Sequence, residues 1–243
     1  MRTRLRHGLA AVLAVSALSL TAACGGGEAK DDTKKAADKP SAGQTTSAEP
    51  TAPAAAVPLT AAQMKAATLA LTDLPSGWRT SAGPDTPEPK ADKPECQPLA
   101  GVVAQKISGA TMGPSPDFER GNAESVLSTD VFTYPADGAR DFVTSIGTSL
   151  DTCKGFAADL QGMKMDVTFE KLAGPKAGEE SHAFRLKMKL ATVAMTVESN
   201  MMVVRQGTGV AKIVHVPANA SGHKDFDGLA KLAADKFVKG AQS

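Results

Sequence analysis

The side chains in this sequence best suited to chemistry are three cysteines and four histidines. His182, His215 and His223 lack the spacing of a metal-binding helix, and no H-E-x-x-H segment is present. No Gly-x-Ser-x-Gly turn presents a serine nucleophile. Gly207 and Gly209 lack a third glycine and lie between predicted strands, which predicts a turn rather than a phosphate-binding loop. The sequence therefore predicts no enzyme, no metal site and no cofactor.

Cys24 stands at the end of a segment with the layout of a secretion signal. Three arginines precede an apolar run at 9–20, which is shorter than the roughly 20 residues of a membrane helix. The residues that follow, Leu20-Thr21-Ala22-Ala23-Cys24, resemble the bacterial lipobox, in which the cysteine is diacylglycerylated and the preceding peptide bond is cut. We expect a signal peptide at 1–23 and a lipidated N-terminal Cys24. The alternative is an ordinary signal peptide that leaves Cys24 as a free thiol.

Residues 24–58 predict a lipidated N-terminus followed by a disordered linker. Between residues 25 and 58, Val57 is the only large apolar side chain, and such a stretch cannot bury enough surface to fold. A flexible chain of this length has a reach on the order of 30 Å. Two or more acyl chains anchor a protein stably, so we expect attachment to the extracytoplasmic face of the cell membrane.

Composition excludes nucleic acid as a partner. Removal of the three signal-peptide arginines lowers the formal net charge from +1 to −2, whereas nucleic-acid-binding proteins carry clustered basic surface. Residues 59–243 hold the only tryptophan, the only tyrosine and all eight phenylalanines. This length is suitable for one domain.

Cys96 and Cys153 are the only thiols in this domain. Outside the cell an even number of cysteines favours a disulfide, which would stabilise the fold by about 4 kcal/mol in the chain-entropy model. The alternative is a reactive or metal-binding pair, but no histidine lies within ten residues of either cysteine.

Hydrophobic periodicity predicts an α+β fold. Thr60 and Gln63 have the form of a capping box at the start of a helix, which we expect to end near Asp73. Further helices are expected around 99–107, between Pro135 and Cys153, and at 226–239. Alternating apolar residues predict strands at 123–134, 163–172, 183–190, 192–206 and 209–216. We expect a single domain with an antiparallel sheet, helices packed on one face of it, and one disulfide.

Several short segments, in this order, resemble the extracellular sensor domain of mycobacterial PknH-type serine/threonine kinases and the actinobacterial lipoproteins that carry this module alone. They are Asp73-Leu74-Pro75-Ser76-Gly77-Trp78, Cys96-Gln97-Pro98-Leu99, Val131-Phe132-Thr133-Tyr134, Leu150-Asp151-Thr152-Cys153, Gly178-Glu179-Glu180-Ser181 and Val203-Val204-Arg205-Gln206-Gly207. The resemblance implies an antiparallel sheet with helices, a disulfide-pinned cleft and an extracellular ligand. This sequence has no kinase domain, and it has one cysteine pair where the kinase members have two.

We therefore expect a non-enzymatic sensor or ligand-binding domain, with Trp78, Phe132, Tyr134 and Arg205 as candidate ligand-binding residues. The ligand is expected to be a small molecule, a lipid or a protein. One alternative is an envelope lipid carrier, in which Met188, Met195, Met201 and Met202 line an apolar cavity. Another is a scaffold that binds a protein partner in the cell wall. For Trp78, the alternative to ligand stacking is a lid over the core.

Overall fold

The computed structural model describes residues 56–243 except 84, 123, 161 and 191–194, and these residues belong to one compact unit. The predicted signal peptide, Cys24 and most of the predicted linker lie outside the described residues. Within the described part of the chain, no helix combines the length and the apolar character needed to span a bilayer.

A large antiparallel sheet forms the centre of the domain. Its strands are β1 (Trp78–Ser81), β2 (Lys90–Ala91), β3 (Thr111–Met112), β4 (Asp117–Arg120), β5 (Ser125–Thr133), β6 (Gly155–Leu160), β7 (Met163–Leu172), β8 (Glu180–Leu190), β9 (Met195–Gln206) and β10 (Gly209–Val216). Their order across the sheet is β1-β4-β5-β10-β9-β8-β7-β6-β2, and β3 pairs with the end of β5. The long strands β7 to β10 lie near the positions that the alternating pattern predicts, and they form a continuous meander.

In the part of the chain that the structure describes, four α-helices accompany the sheet: α1 (Ala61–Ala67), α2 (Gln97–Gly101), α3 (Gly138–Thr152) and α4 (Phe226–Ala241). The capping box predicted at Thr60 and Gln63 is present. However, α1 ends at Ala67, because the chain becomes extended at Thr68 and continues to a separate 3₁₀ turn at Leu71–Asp73. Two further 3₁₀ segments, Pro94–Cys96 and Ala220–Asp225, lead into α2 and α4.

Helices pack on both faces of the sheet, whereas we expected one face. One core lies beneath α2 and α3 and includes Met201 and Val203 of β9, and the other lies beneath α1 and α4 and includes Met202 and Val204. Successive side chains of a strand point to opposite faces, so this run of apolar residues requires cover on both sides. The predicted α+β class, the antiparallel sheet and the disulfide are confirmed.

The far end of β8 has one polar face, as its alternation predicts. Phe184 and Leu186 are buried beneath α3, whereas Lys187 and Lys189 point to the other face and are exposed. The second pair of helices therefore covers only part of that face.

Candidate functional site

The disulfide joins the 3₁₀ segment Pro94–Cys96 to the end of α3. Cys96 and Cys153 are bonded with a Cα–Cα distance of 5.3 Å, and both are buried in the core beneath α3. Because α2 follows Cys96 directly, the bond holds α2 beside α3.

A surface groove of about 560 Å³ runs between these two covalently joined elements. One wall is Pro94, Glu95 and Pro98, and the other is the outer side of α3. Its residues from α3 are Arg140, Asp141, Thr144, Ser145, Thr148, Ser149 and Thr152. We call this feature the disulfide groove. Residues four apart on a helix share a face, so Thr144, Thr148 and Thr152 form a row along it.

The hydroxyl groups in the disulfide groove are oriented by the helix. Ser145 Oγ donates to the carbonyl of Phe142 at 2.7 Å, and Thr152 Oγ1 donates to the carbonyl of Thr148 at 3.1 Å. A hydroxyl that donates its hydrogen still has lone pairs to accept one. The groove therefore offers fixed acceptors along its length, with the opposite charges of Arg140 and Asp141 on the first turn of α3.

Arg205 does not line the disulfide groove. It is connected to the groove only indirectly, through Glu180 and Thr144. Its guanidinium forms an ion pair with Glu179, and its Nε lies 3.5 Å from Oε2 of Glu180. Glu180 also accepts a hydrogen bond from Thr144 Oγ1 at 3.2 Å, and Thr144 lines the groove. The Arg205 side chain is only 14% exposed. Arg205 therefore helps to hold α3 in place through Glu180.

Phe132 and Tyr134 are buried beneath the first half of α3. Their rings pack edge to face with centroids 6.0 Å apart, and each contacts Phe142 of α3 at 5.7 Å. Burial raises the pKa of Tyr134 to about 12, and the negative charge of Glu88 adds to this shift. The two rings form part of the core on which α3 rests.

Trp78 lies in the other core, on the opposite side of the sheet from Phe132 and Tyr134. Its side chain is buried, and the guanidinium of Arg120 lies 5.1 Å above its ring. The four candidate residues therefore do not line one cavity. The residues of the disulfide groove were missed because serines and threonines on an exposed helix face carry no motif.

A serine and a histidine do lie together: Ser125 Oγ is 2.9 Å from His215 Nε2. His215 is fully buried, and this burial lowers its pKa to about 4. Its Nδ1 has no hydrogen-bond partner among the described residues, and none of their carboxylates orients the ring as in a catalytic triad. A neutral, weakly basic imidazole without this support is a poor general base. Among the described residues, no group of three potential ligands could hold a metal ion.

Comparison with known structures shows the same fold in a bacterial extracellular domain. The chain is similar to the crystal structure of the extracellular domain of PknH from Mycobacterium tuberculosis, with a TM-score of 0.55 and 16% identity over 77% of this chain and 99% of that chain. A putative uncharacterized protein from Mycobacterium smegmatis, a Rv0999 ortholog, also matches, with a TM-score of 0.39 and 9% identity over 76% of this chain and 97% of that one. No model of a known family and no curated protein sequence matches. The structural likeness confirms the resemblance at the level of the fold.

Proposed function

We propose that this protein is a lipid-anchored domain of the cell surface that binds an extracellular ligand in the disulfide groove without catalysing a reaction. The observation that carries this proposal is the groove of about 560 Å³ whose walls are joined by the Cys96–Cys153 bond. This volume lies within the range of roughly 300–1,000 Å³ that is usual for ligand sites. The lipobox-like sequence around Cys24 supports the anchor. The shared fold with the extracellular domain of PknH supports a sensor-like role outside the cytoplasm.

A covalent link between the walls favours binding. A site that is already ordered loses less conformational freedom when the ligand binds, and more of the interaction energy then appears as affinity. The disulfide and the packing of α3 on Phe132 and Tyr134 both contribute to this order. The row of threonines favours a ligand that makes hydrogen bonds, such as a peptidoglycan fragment, over an acyl lipid.

The lipid-carrier alternative is less well supported. Met201 and Met202 are buried in the cores on opposite faces of the sheet, and Met195 is 48% exposed. Methionines distributed in this way do not surround a common apolar cavity.

A thermal-shift screen of the purified domain against peptidoglycan fragments, envelope lipids and small metabolites tests the proposal. We expect at least one polar ligand to raise the melting temperature, because a ligand that binds only the folded state stabilises it. Thr148→Trp fills the groove and should weaken binding by about tenfold or more, whereas Thr168→Trp, on the exposed face of β7, should leave it unchanged.

Native mass spectrometry of the same preparation provides a second readout, since a ligand that co-purifies with the protein would be detected as added mass on the folded chain. No shift with any class of compound, together with no co-purifying ligand, would contradict the proposal. Ligand binding that is equally strong in the Thr148→Trp variant would place the site elsewhere.

A further inference from the structure

A smaller pocket lies where the end of β4, the start of β5 and the 3₁₀ segment that leads into α4 meet. Its volume is about 220 Å³, and its lining comes from three separate segments of the chain. Its charged or polar lining residues are Arg120, Glu124, Ser125, Asn219, Lys224 and Asp225. We call it the β4–α4 pocket. It shares no residue with the disulfide groove.

Arg120 and Asp225 form the fixed part of this pocket. Arg120 Nη2 lies 2.8 Å from Asp225 Oδ2, and the guanidinium carbon lies over the ring of Trp78, 5.1 Å from the ring centroid. A planar guanidinium that is held by an aromatic ring presents its remaining N–H groups in a defined direction. Trp78 thus positions a charged group for this pocket, although it lines no part of it.

Ser125 is also held in place, by a hydrogen bond with the buried His215. Its hydroxyl is 2.9 Å from His215 Nε2, and His215 is fully buried with its ring stacked on Phe226, with the two planes 10° apart. When the imidazole carries its proton on Nε2, it donates to Ser125 Oγ. The hydroxyl hydrogen of Ser125 is then free to donate to a ligand in the pocket.

Lys224 and Glu124 supply one further charge of each sign. Both side chains are exposed, and neither has an ion-pair partner in the part of the chain that the structure describes. The pocket therefore has a cation and an anion in the fixed Arg120–Asp225 pair, and another cation and anion at exposed positions. A ligand with only one charge would pair with either the two cations or the two anions, but not with both.

We propose that the β4–α4 pocket binds a small zwitterion of the α-amino acid type. The ligand carboxylate accepts hydrogen bonds from Arg120, Lys224 and the Ser125 hydroxyl, and its ammonium group donates to Glu124 and Asp225. Charge-assisted hydrogen bonds of this kind are stronger than neutral ones. The volume lies below the roughly 300–1,000 Å³ of sites for drug-sized ligands, which suits a molecule of amino-acid size.

Isothermal titration calorimetry of the purified domain with glycine, L-alanine and L-glutamate tests the proposal. We expect saturable binding of at least one of them. Acetate and methylammonium, which each carry one of the two charges, should bind at least about tenfold more weakly than that amino acid, because each forms only half of the charge-assisted bonds.

Variants of the two unpaired residues locate the site without disturbing the core. Lys224→Gln and Glu124→Gln should each weaken amino-acid binding by about tenfold, while Lys176→Gln, another exposed lysine, should leave it unchanged. All three variants should keep the melting temperature of the parent when no amino acid is present. The absence of saturable binding for all three amino acids would overturn the proposal, and so would binding that neither pocket variant weakens. Thr148→Trp should not affect this binding, so the proposals for the two sites are tested independently.

Discussion

Glu179 closes the turn between β9 and β10: its Oε1 accepts a hydrogen bond from the backbone N–H of Gly207 at 3.2 Å. The same oxygen accepts from Nε2 of Gln206 at 3.1 Å, and the other carboxylate oxygen pairs with Arg205. The two segments Gly178-Glu179-Glu180-Ser181 and Val203-Val204-Arg205-Gln206-Gly207 are thus one structural unit. Glu179, which immediately precedes β8, therefore joins the start of that strand to the turn between β9 and β10.

Replacement of Glu179 by alanine should therefore destabilise the domain by about 1–2 kcal/mol, because a charged acceptor with three partners is lost. Urea unfolding followed by circular dichroism measures this change. Glu170→Ala removes an exposed carboxylate that pairs with Arg185 at 3.3 Å, and its effect should stay within about 0.5 kcal/mol. Equal effects of the two substitutions would contradict the role of Glu179 in the turn.

Removal of the disulfide should lower stability and loosen the disulfide groove. The Cys96→Ala/Cys153→Ala variant should lose about 2–5 kcal/mol in free energy of unfolding, since the bond closes a long loop. Amide hydrogen exchange should increase most in α2 and the last turn of α3. Unchanged exchange in these segments would show that packing alone holds the groove walls together.

Two glycines in helices should respond to alanine in opposite directions. A Cβ at Gly147 of α3 would lie 2.6 Å from the imidazole of His182, whereas a Cβ at Gly228 of α4 would meet no atom within 4 Å. Gly228→Ala should stabilise the domain by about 0.5–1 kcal/mol, because alanine is the better helix former. Gly147→Ala should destabilise it by about 1–3 kcal/mol through overpacking.

Thermal melts compare the two variants under one set of conditions. The Gly147→Ala/His182→Ala double variant should recover part of the loss, because the ring that causes the clash is absent. A stabilising effect of Gly147→Ala in the parent would show that His182 moves aside without cost.

Acid should destabilise the domain partly through His215. Burial lowers its pKa to about 4 in the folded state, while the pKa in an unfolded chain is about 6.5. Between these values the unfolded chain binds more protons than the folded one, so stability falls as the pH decreases from about 6.5 towards 4. Above about pH 6.5 the imidazole is neutral in both states and contributes no pH dependence.

The loss attributable to His215 by pH 4 is on the order of 3 kcal/mol, because each tenfold difference in proton affinity between the folded and unfolded states corresponds to about 1.36 kcal/mol. Urea unfolding of His215→Leu at pH 7 and pH 4.5 should show a smaller decrease in stability than the parent shows. Thr168→Gln, at an exposed position of β7 and without a titratable group, should show the parent's decrease. Identical pH dependence in the parent and the His215→Leu variant would contradict the assignment.

Cys24→Ser should abolish membrane attachment if Cys24 carries the lipid anchor. In detergent phase partitioning of whole-cell extracts, the parent should enter the detergent phase and the variant the aqueous phase, because a protein without acyl chains has no stable hold on a bilayer. Cys96→Ala keeps the lipobox-like segment and should remain in the detergent phase. Equal partitioning of the parent and the Cys24→Ser variant would contradict lipidation.

The sequence by itself determined the α+β class and much of the secondary structure of this protein. Strands β7 to β10 and helices α3 and α4 have long, regular apolar patterns, and such local patterns can be recognised without knowledge of the rest of the fold. The disulfide was also predictable, because only two cysteines occur in the domain. Strands β1, β2, β3, β4 and β6 were not predicted. The first four have only two to four residues, and strands of this length depend on their neighbours for pairing.

Only the tertiary structure decided which side chains share a site. The hydroxyl row of α3 becomes one wall of a groove because the disulfide brings a distant proline-rich turn beside it. Trp78 faces away from Phe132 because β1 and β5 present these two residues to opposite faces of the sheet, and Tyr134, just after β5, lies in the same core as Phe132. In the same way, Ser125 meets His215 through the pairing of β5 with β10. Pairing and helix placement of this kind involve residues far apart in the chain, so local periodicity does not specify them.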